Sequence, residues 1–519
     1  MKKLLSFVLA IVLVLSVFTV GAFADATTPA DYVPVDAADT ARYGAASKWD
    51  GTVYTLTSIE NKYTFDGEGT EASPYLIKSA DDLAKLAANV RFTSTDTNYE
   101  GKYFKLTVDI DMQHHAWMGI GGCFNGVRWG AASADSADRD FEMFQGTFDG
   151  DNHVIYNFNL ADKNANNEAI CANGLFGYAG KGAAIYNLGI ANGEVSLMNA
   201  SRFAGLIGAS RFDLEVKNCF NRANFNFSYT EGFTYAGPGG GVEVRIGGLM
   251  GAVMNDGSAV RTIENCYNSG NITVNLPNGF SKYCVAGIVG YISDCVTSDF
   301  INCVNTGTIT VNANHGAVAS NEMYQAVVAS LVGTIAWNNS YCVFKDCQAG
   351  GTIVYNNPNA DAAGYGVGAF LGYVRLISDV EFDGTNVYSV ELNPDEPIAS
   401  NPGAAAGKVN KVASITLTFA EDGYFMGEEP TNPGDTTNPG DTTNPGDTTP
   451  GGDNQQGGSN DDNTQTQAPE TNAPETNATT TTAPVEEESG CASVVASGML
   501  IALLTVGGAM LCIRKKKEN

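Results

Sequence analysis

Acidic and imidazole side chains that could bind a metal fall close together in one stretch of this 519-residue chain. Asp109 and Asp111 are two residues apart, which places both carboxylates on one face of a strand, where they could bind Ca²⁺. His114 and His115 follow, but a zinc-type site needs a third His or Cys at ligand spacing. The other two histidines are His153 and His315. We therefore predict no metal or cofactor; an ordinary turn after a strand explains the acidic pair, and Ca²⁺ is the alternative.

Paired carboxylates for catalysis are the next chemistry to consider. General acid–base catalysis needs two carboxyl groups fixed on rigid structure, whereas Asp81-Asp82 falls in a predicted helix and Asp461-Asp462 in a low-complexity segment. The residue set of polygalacturonase-like enzymes is missing, and so are the nucleophile elbow, the His-Glu-x-x-His helix, the phosphate-binding loop and the dinucleotide fingerprint. We assign no catalytic residue and predict that the protein is not an enzyme; a polysaccharide-active lyase or glycosidase with a divergent site is the alternative.

Aromatic residues that could bind a ligand recur among Asn and Gly in four long segments, 228–245, 275–284, 312–325 and 356–366. The candidate binding residues are Tyr229, Phe233, Tyr235, Phe280, Tyr283, Tyr324 and Tyr365. Aromatic faces beside amides suit sugar or protein surfaces. The same rings could instead pack the loops onto the scaffold, and the sequence leaves both interpretations open.

A tetrapeptide of small and apolar residues that ends in Gly indicates what positions these loops. Its copies are Gly174-Leu-Phe-Gly177, Gly205-Leu-Ile-Gly208, Gly248-Leu-Met-Gly251, Gly287-Ile-Val-Gly290, Ser330-Leu-Val-Gly333 and Ala369-Phe-Leu-Gly372, at steps of 31, 43, 39, 43 and 39 residues. Such a period is typical of a solenoid, in which each unit buries its apolar face against its neighbours. The second Gly never varies, which indicates either a positive φ or no room for a Cβ atom.

Two further repeated signatures predict the inside of each unit. Asn187, Asn218, Asn265, Asn302 and Asp346 recur at one position and should form a ladder at a bend, each side chain bonded to its neighbour. Leu188, Cys219, Cys266, Cys303 and Cys347 follow them directly and should fill one interior column. Short β-branched runs such as Thr308-Ile-Thr-Val311 complete each unit. We predict an all-β fold, a right-handed parallel β-helix with three short strands per unit.

These repeats resemble the bacterial surface proteins that carry the GLUG motif, named for Gly-Leu-apolar-Gly. The likeness extends upstream to Gly67–Ile77, Asp81–Ala87, Tyr103–Asp111 and Gly146–Gly150, so it covers residues 48–390. It implies a parallel β-helix at a cell surface and says little about activity. Ser330 and Ala369 depart from the motif, so that only its second Gly is strict.

The ends of a solenoid need caps. Ser79 to Phe92 begins with Ser79-x-x-Asp82 and places Leu83, Leu86, Ala87 and Val90 on one face, which predicts an amphipathic helix that caps the first rungs or lies beside them. At the other end, Ser414–Phe419 is the predicted terminal strand. We place the β-helix at residues 48–427, after an N-terminal extension at 25–47.

Both ends of the chain predict export and membrane attachment. Residues 1–24 have the basic start, apolar centre and Ala-Phe-Ala end of a signal peptide. Residues 490–513 include an uncharged stretch long enough to cross a bilayer as a helix, and the basic tail 514–519 should hold that end in the cytoplasm. A Leu-Pro-x-Thr-Gly sorting signal is missing before this stretch, so we favour membrane retention over wall anchoring.

Between them, residues 428–489 repeat Thr-Asn-Pro-Gly-Asp-Thr and contain thirteen acidic residues but no Lys or Arg. Such a composition predicts a disordered, extended spacer. The formal net charge of −28 also argues against nucleic acid as a partner.

Nine of the eleven Cys lie in the predicted ectodomain, an odd number. Because the Cβ vectors within one column run parallel, we predict buried thiols there and not disulfides, which suits a low-oxygen habitat. The sequence thus predicts a single-pass cell-membrane protein of a Gram-positive-like anaerobe, whose extracellular domain is an adhesin or binds an extracellular glycan or protein. A structural envelope protein is the further alternative.

Overall fold

Parallel strands stack unit upon unit in the computed structural model of this chain. The structure describes residues 41–42, 44–92, 96–124, 143–163, 170–231, 244–254, 259–293, 297–316, 326–336, 340–359, 366–374, 379–392, 398–399 and 407–415, without the side chains of residues 123 and 124. The predicted signal peptide, linker, transmembrane helix and tail lie outside these residues. Within them, no helix has the length and apolar character needed to cross a membrane.

The N-terminal part leads into the stack. Its elements are β1 (Ser47–Lys48), a 3₁₀ turn (Ile59–Asn61), β2 (Tyr75–Ile77), α1 (Ala80–Val90), β3 (Tyr103–Leu106), β4 (Ile110–Asp111), β5 (Ala116–Trp117), β6 (Cys123–Phe124), β7 (Thr147–Tyr156) and β8 (Asn159–Leu160). Ser79 caps α1, because its side chain accepts a hydrogen bond from the Asp82 N–H at 3.1 Å. The apolar face of α1, with Leu83, Leu86 and Val90, is buried in the core. The predicted helix is therefore present beside the first strands of the stack.

Six repeating units follow. Unit 1 contains β9 (Ile170–Asn173), β10 (Phe176–Gly180), β11 (Ala183–Ala191) and β12 (Glu194–Met198); unit 2 contains β13 (Arg202–Phe203), β14 (Ile207–Arg211), β15 (Leu214–Asn221) and β16 (Asn224–Ser228); unit 3 contains β17 (Val244–Gly247), β18 (Met250–Met254), β19 (Val260–Glu264), β20 (Tyr267–Asn268) and β21 (Ile272–Asn278). Unit 4 contains β22 (Tyr283–Ala286), β23 (Val289–Ser293), β24 (Thr297–Ile301), β25 (Val304–Asn305) and β26 (Ile309–Asn314); unit 5 contains β27 (Ala326–Ala329), β28 (Val332–Ala336), β29 (Tyr341–Lys345), β30 (Gln348–Ala349) and β31 (Ile353–Asn356); unit 6 contains β32 (Gly366–Gly368), β33 (Leu371–Val374), β34 (Asp379–Asp383) and β35 (Asn386–Tyr388), before β36 (Val409–Lys411).

Equivalent strands of successive units pair side by side in four sheets. Sheet A has sixteen strands, among them β7, β11 and β15; sheet B runs β10-β14-β18-β23-β28-β33; sheet C runs β12-β16-β21-β26-β31; sheet D runs β6-β9-β13-β17-β22-β27-β32. Strands β5 and β8 form a separate pair. All named pairs are parallel except β6 with β9. This is the parallel solenoid that the repeats predict.

The number of strands per unit differs from the prediction. Each unit has four strands or five, not three, because a separate strand of sheet D precedes each tetrapeptide and the sheet A strand divides in units 3 to 6. The division falls at a residue of positive φ: Asn265 (52°), Asn302 (49°), Asp346 (55°) and Gly384 (63°). In units 1 and 2 the sheet A strand continues through Asn187 and Asn218, whose φ values are the same within a few degrees as those of Asn265 and Asn302. The predicted terminal strand is also absent at Ser414 and Ile415, and residues 416–419 lie outside the described part; the last described strand is β36.

The repeated Asn form a hydrogen-bonded ladder along this corner. The side-chain amides of Asn218, Asn265 and Asn302 each donate to the Oδ1 atom of the Asn one unit before, at 2.8, 3.0 and 2.9 Å. Asp346 occupies the same position with a φ of 55°, and its Oδ1 accepts from the Thr385 N–H at 2.7 Å. A side chain that tolerates the left-handed conformation and carries both a donor and an acceptor explains why Asn recurs here.

The interior column beside this corner is built from Leu188 and four cysteines, all at most 1 % exposed. Each thiol lies near a carbonyl oxygen of the preceding unit: Cys219 Sγ is 3.6 Å from Ile185 O, Cys266 Sγ 3.7 Å from Val216 O, Cys303 Sγ 3.2 Å from Ile263 O and Cys347 Sγ 3.3 Å from Phe300 O. All four are free thiols. Burial, together with a neighbouring Cys, raises the pKa of Cys219 and Cys303 well above the ordinary value. Outside the column, Cys171 is disulfide-bonded.

A second ladder of amides runs inside the stack and was not singled out from the sequence. Asn221, Asn268 and Asn305 are fully buried. Asn221 donates to Asn268 Oδ1 at 2.7 Å, and Asn268 donates to Asn305 Oδ1 at 2.8 Å. Buried amides are stable only when their hydrogen bonds are made, and the stacking of identical residues provides them.

These buried amides, together with backbone carbonyls of the following unit (Gly287 O against Gly248 and Ser330 O against Gly287), leave no room for a side chain at the first Gly of the tetrapeptide in units 2 to 4. A Cβ atom on Gly205, Gly248 or Gly287 would lie 2.6, 2.4 or 2.2 Å from the nearest side-chain atom of Asn221, Asn268 or Asn305 respectively. In unit 5 the Asn is replaced by Ala349, which pairs with Asn305, and the Gly is replaced by Ser330. The hydroxyl of Ser330 accepts from the Asn305 amide at 3.0 Å and donates to Gly350 O at 2.9 Å. Ser330 therefore fits because the neighbouring Asn is missing.

The second Gly is strict for lack of space. None of the six copies has a positive φ. A Cβ atom on Gly251 would lie 2.6 Å from Gly208 O, one on Gly290 2.7 Å from Gly251 O, and one on Gly333 2.4 Å from Gly290 O. The backbone of the preceding unit occupies the volume of a side chain, so only hydrogen fits.

Candidate functional site

The predicted binding aromatics that the structure describes lie in the hydrophobic core or against it. Tyr229 and Tyr283 are 7 % and 1 % exposed and belong to the main hydrophobic core, and Phe280 is half-buried against it. The Tyr229 hydroxyl donates to Ala200 O at 2.6 Å, and its ring lies 5.6 Å from that of Phe280. Phe233, Tyr235, Tyr324 and Tyr365 lie outside the described residues. The packing interpretation thus describes Tyr229 and Tyr283, whose rings are buried in the core.

Tyr283 belongs to a buried polar cluster at the corner of sheets C and D. Its hydroxyl lies 2.8 Å from His315 Nε2 and 2.7 Å from the hydroxyl of Tyr355. The Asn357 amide donates to His315 O at 3.1 Å and to the Tyr355 hydroxyl at 3.2 Å. Burial raises the pKa of Tyr355, although hydrogen bonds from Tyr283 and Asn357 oppose this. The cluster joins units 4 and 5 from within and has a structural role.

The candidate Ca²⁺ ligands are occupied by hydrogen bonds. The Asp109 carboxylate is contacted by Arg42 Nε at 3.1 Å, His153 Nδ1 at 2.9 Å and the Val154 N–H at 2.9 Å. Asp111 is fully buried and accepts from the Gln113 N–H at 2.9 Å and from Asn157 Nδ2 at 2.7 Å. Both carboxylates are therefore satisfied by protein donors and stabilise the start of the stack.

His114 and His115 do not complete a metal site with them. Within the described part of the chain, no group of three or more His, Cys, Asp or Glu has the arrangement of a metal site. His115 packs edge-on against Trp49, with ring centroids 5.8 Å apart. Burial lowers the pKa of His114, although Asp111 opposes this.

The outward faces of sheets A and C differ sharply in charge. On sheet A, alternate residues form ion pairs and charged hydrogen bonds. Lys217 Nζ lies 2.5 Å from Glu215 and 3.4 Å from Glu264, and Tyr186 donates to Glu215. Further along, Lys345 lies 3.8 Å from Asp383. This face is therefore a charged surface with most of its groups paired.

The outward face of sheet C, here called the amide face, is almost uncharged. Burial alternates along each strand, so that Phe225, Phe227, Ile272 and Val274 point inward and every second residue points out. The outward residues are Glu194, Ser196 and Met198 in unit 1; Asn224, Asn226 and Ser228 in unit 2; Asn271, Thr273, Asn275, Pro277 and Asn278 in unit 3; Thr308, Thr310, Asn312 and Asn314 in unit 4; and Thr352, Val354 and Asn356 in unit 5. Glu194 is the one ionisable residue among them.

Hydrogen bonds between units fix the amide face. Asn275 donates to Asn226 Oδ1 at 3.2 Å, Asn312 donates to Asn275 Oδ1 at 2.7 Å, and Asn356 donates to Asn312 Oδ1 at 2.8 Å. The Oδ1 atoms of Asn224 and Asn271 accept backbone N–H groups of the following unit, both at 2.9 Å. The ladder thus orients the amides in one direction along the stack.

The amide face retains hydrogen-bonding capacity toward the solvent. A side-chain amide carries two N–H groups, and the ladder uses one of them at Asn312 and at Asn356. Thr273 and Thr310 stand half-exposed between the amides, each with a hydroxyl that can donate and accept. The face therefore presents a regular array of donors and acceptors, with nearly no charge, on a rigid sheet.

Comparison with known proteins gives two likenesses. No family model matches the chain. It is 31% identical over 176 residues to a halomucin of Haloquadratum walsbyi, a match that covers 33% of this chain and 2% of that protein. A crystal structure of "a putative immunoglobulin A1 protease from Bacteroides ovatus" aligns with 60% of this chain and 86% of its own, at a TM-score of 0.32 and 20% identity.

Proposed function

We propose that this chain is a bacterial cell-surface protein of the GLUG-motif type, a right-handed β-helix that binds an extracellular glycan or protein. The observation that carries the binding role is the amide face, whose side chains are oriented by the ladder before any ligand arrives. Preorganised groups lose little conformational freedom on binding, which favours recognition. The rigid stack behind them holds the groups in constant register.

The surface location rests on the sequence and on one likeness. The signal peptide at 1–24 and the apolar segment at 490–513 would export the chain and retain it at its own membrane. The acidic segment 428–489 would act as the spacer that lifts the stack off the bilayer. The halomucin likeness fits a surface protein.

The test uses cells that produce the full chain. Externally added protease should remove the stack from intact cells, and these cells should bind immobilised glycans or matrix proteins more strongly than cells without the chain. Products released from any bound glycan would instead indicate the polysaccharide-active enzyme. A chain that is protected from protease, or whose loss leaves attachment unchanged, would overturn the proposal.

A further inference from the structure

We infer that the amide face binds a neutral polysaccharide, with the sugar chain lying along the stack across successive units. This inference rests on the proposed function and assigns it a site and a ligand class. Sugar hydroxyls both donate and accept hydrogen bonds. They therefore match the exposed N–H of Asn312 and Asn356 and the hydroxyls of Thr273 and Thr310, which do the same.

The charge distribution selects a neutral ligand. The whole chain has a formal net charge of −28, which repels acidic polymers. A cationic ligand would find carboxylates on sheet A, such as Glu264 and Asp299, whereas the amide face offers it Glu194 alone, at one edge. Binding an uncharged chain on the amide face leaves no charge to be desolvated.

The spacing of the groups matches an extended polymer. Neighbouring strands lie about 4.8 Å apart, so equivalent side chains recur at that interval along the stack. One sugar unit in an extended chain has a similar length, so successive units of the protein can meet successive sugars in the same way. The inter-unit bonds, such as the 2.7 Å contact between Asn312 and Asn275, hold this interval constant.

The size and composition of the face argue against a protein partner or a second copy. Five strands spaced by about 4.8 Å, each with about five residues of 3.3 Å, cover roughly 400 Å². A stable protein interface buries about 800 Å² on each partner and is anchored by Trp, Tyr or Arg. None of the outward residues of the amide face is of these types. A single glycan chain needs less area and is recognised through hydrogen bonds.

The experiment compares two variants of unit 3 that make the same chemical change on different faces. Thr273→Lys places a charge on the amide face, and Thr262→Lys places one on the outward face of sheet A; both threonines are half-exposed. The probes are galactomannan, xyloglucan and a neutral β-glucan, with polygalacturonate and heparin as acidic comparisons. Binding is measured by affinity electrophoresis and calorimetry on the full chain in mild detergent, and folding by thermal unfolding.

We expect at least one neutral polysaccharide to bind and both acidic ones to be rejected. Thr273→Lys should weaken binding by about tenfold or more, because a charge must then be desolvated or displaced, while Thr262→Lys should bind like the unchanged protein. Equal effects of the two variants, or binding of the acidic polymers alone, would overturn the inference. Glycan binding that is unaffected by Thr273→Lys would reject the amide face but leave the proposed function standing. Cells that attach to protein and to none of these glycans would reject the ligand class.

Discussion

At the scale of single residues, the geometry explains why one Gly in each unit is strict and the other is not. The strict Gly faces the backbone of the preceding unit, which cannot move without breaking the pairing of a whole rung. The variable Gly faces a buried Asn side chain and also, at Gly248 and Gly287, a backbone carbonyl of the following unit; unit 5, which lacks the Asn, has Ser330 at this position.

The strict position gives the first prediction. Gly290→Ala places a Cβ atom 2.7 Å from Gly251 O and 2.7 Å from Ile246 O, so we expect the free energy of unfolding to fall by about 1–3 kcal/mol. Gly316→Ala is the matched control, because a Cβ atom there meets nothing within 4 Å and its φ is not positive. Urea denaturation of both variants measures the difference. Equal stabilities would show that Gly290 is not confined by the preceding unit.

Asp109 gives a prediction about pH. Burial by itself raises the pKa of this carboxyl, but hydrogen bonds from His153, Arg42 and the Val154 N–H outweigh it, and the pKa is lowered below the ordinary value. A carboxyl with a lowered folded pKa stabilises the fold above its unfolded pKa of about 3.9, and this contribution is lost as the pH falls through the folded pKa. Asp109→Asn should therefore destabilise the protein at pH 7 by about 1–3 kcal/mol and have a smaller effect near pH 3. Urea unfolding of both proteins at the two pH values tests this; an equal difference at pH 7 and pH 3 would contradict it.

At the scale of strands and corners, the structure depends on pairs of positions in adjoining strands. Gly287 and Asn305 illustrate the coupling, because a Cβ atom on Gly287 would lie 2.2 Å from Asn305 Cγ. Unit 5 already contains the alternative pair, Ser330 with Ala349. A larger residue at the first position of the tetrapeptide should therefore be tolerated better when the buried Asn of the same unit is also replaced.

A double-mutant cycle tests this coupling. Gly287→Ser and Asn305→Ala should each destabilise the protein by about 1–3 kcal/mol, the first through overpacking and the second through lost buried hydrogen bonds. The double variant should be more stable than the sum predicts by about 0.5–3 kcal/mol, because removal of the Asn305 side chain relieves that part of the clash, although the Ser330 carbonyl 2.4 Å from the Cβ position remains. Asn221→Ala with Gly287→Ser is the control, since Asn221 lies against Gly205, and its effects should add. Additive effects in both pairs would contradict the coupling.

What the sequence could predict at this scale follows from how each feature is built. The ladder of Asn265 and Asn302 and the Cys column recur because identical neighbours stack, so the repeats alone predict the stacked parallel strands. The strand count could not be predicted, since the same left-handed position divides the sheet A strand in units 3 to 6 but not in units 1 and 2. The buried position of Asn268 was missed because Asn is ordinarily a surface residue. Tyr229 and Tyr283 were undecided, because a loop ring can either pack inward or face a ligand.

At the scale of the whole molecule, each unit contacts mainly the units before and after it. Sheets A to D all run from one unit to the next. The stability of each unit should therefore depend on its interfaces with the two neighbouring units, and should differ from one end of the stack to the other. The amide face is a product of this arrangement, because its array exists only while units 2 to 5 keep their register. Its period-2 pattern of Asn and Thr is also that of any solvent-facing strand, and for this reason the sequence alone did not reveal it.

A destabilising substitution should therefore speed up hydrogen exchange only in the units near it, so its effect should depend on its position in the stack. Gly372→Ala changes the last unit, where a Cβ atom would lie 2.1 Å from Val327 Cγ1 and 2.7 Å from Gly333 O. Because unit 6 can open without separating other units, we expect hydrogen exchange to speed up in β32, β33 and their partners in unit 5 while units 2 to 4 stay protected. Gly290→Ala lies in unit 4 and should speed up exchange on both sides of the change, in units 3, 4 and 5. Mass spectrometry of proteolytic fragments after exchange measures this unit by unit. An increase spread evenly over all units for Gly372→Ala would mean that the stack opens as one cooperative body, and that the amide face cannot be lost or kept independently of the rest.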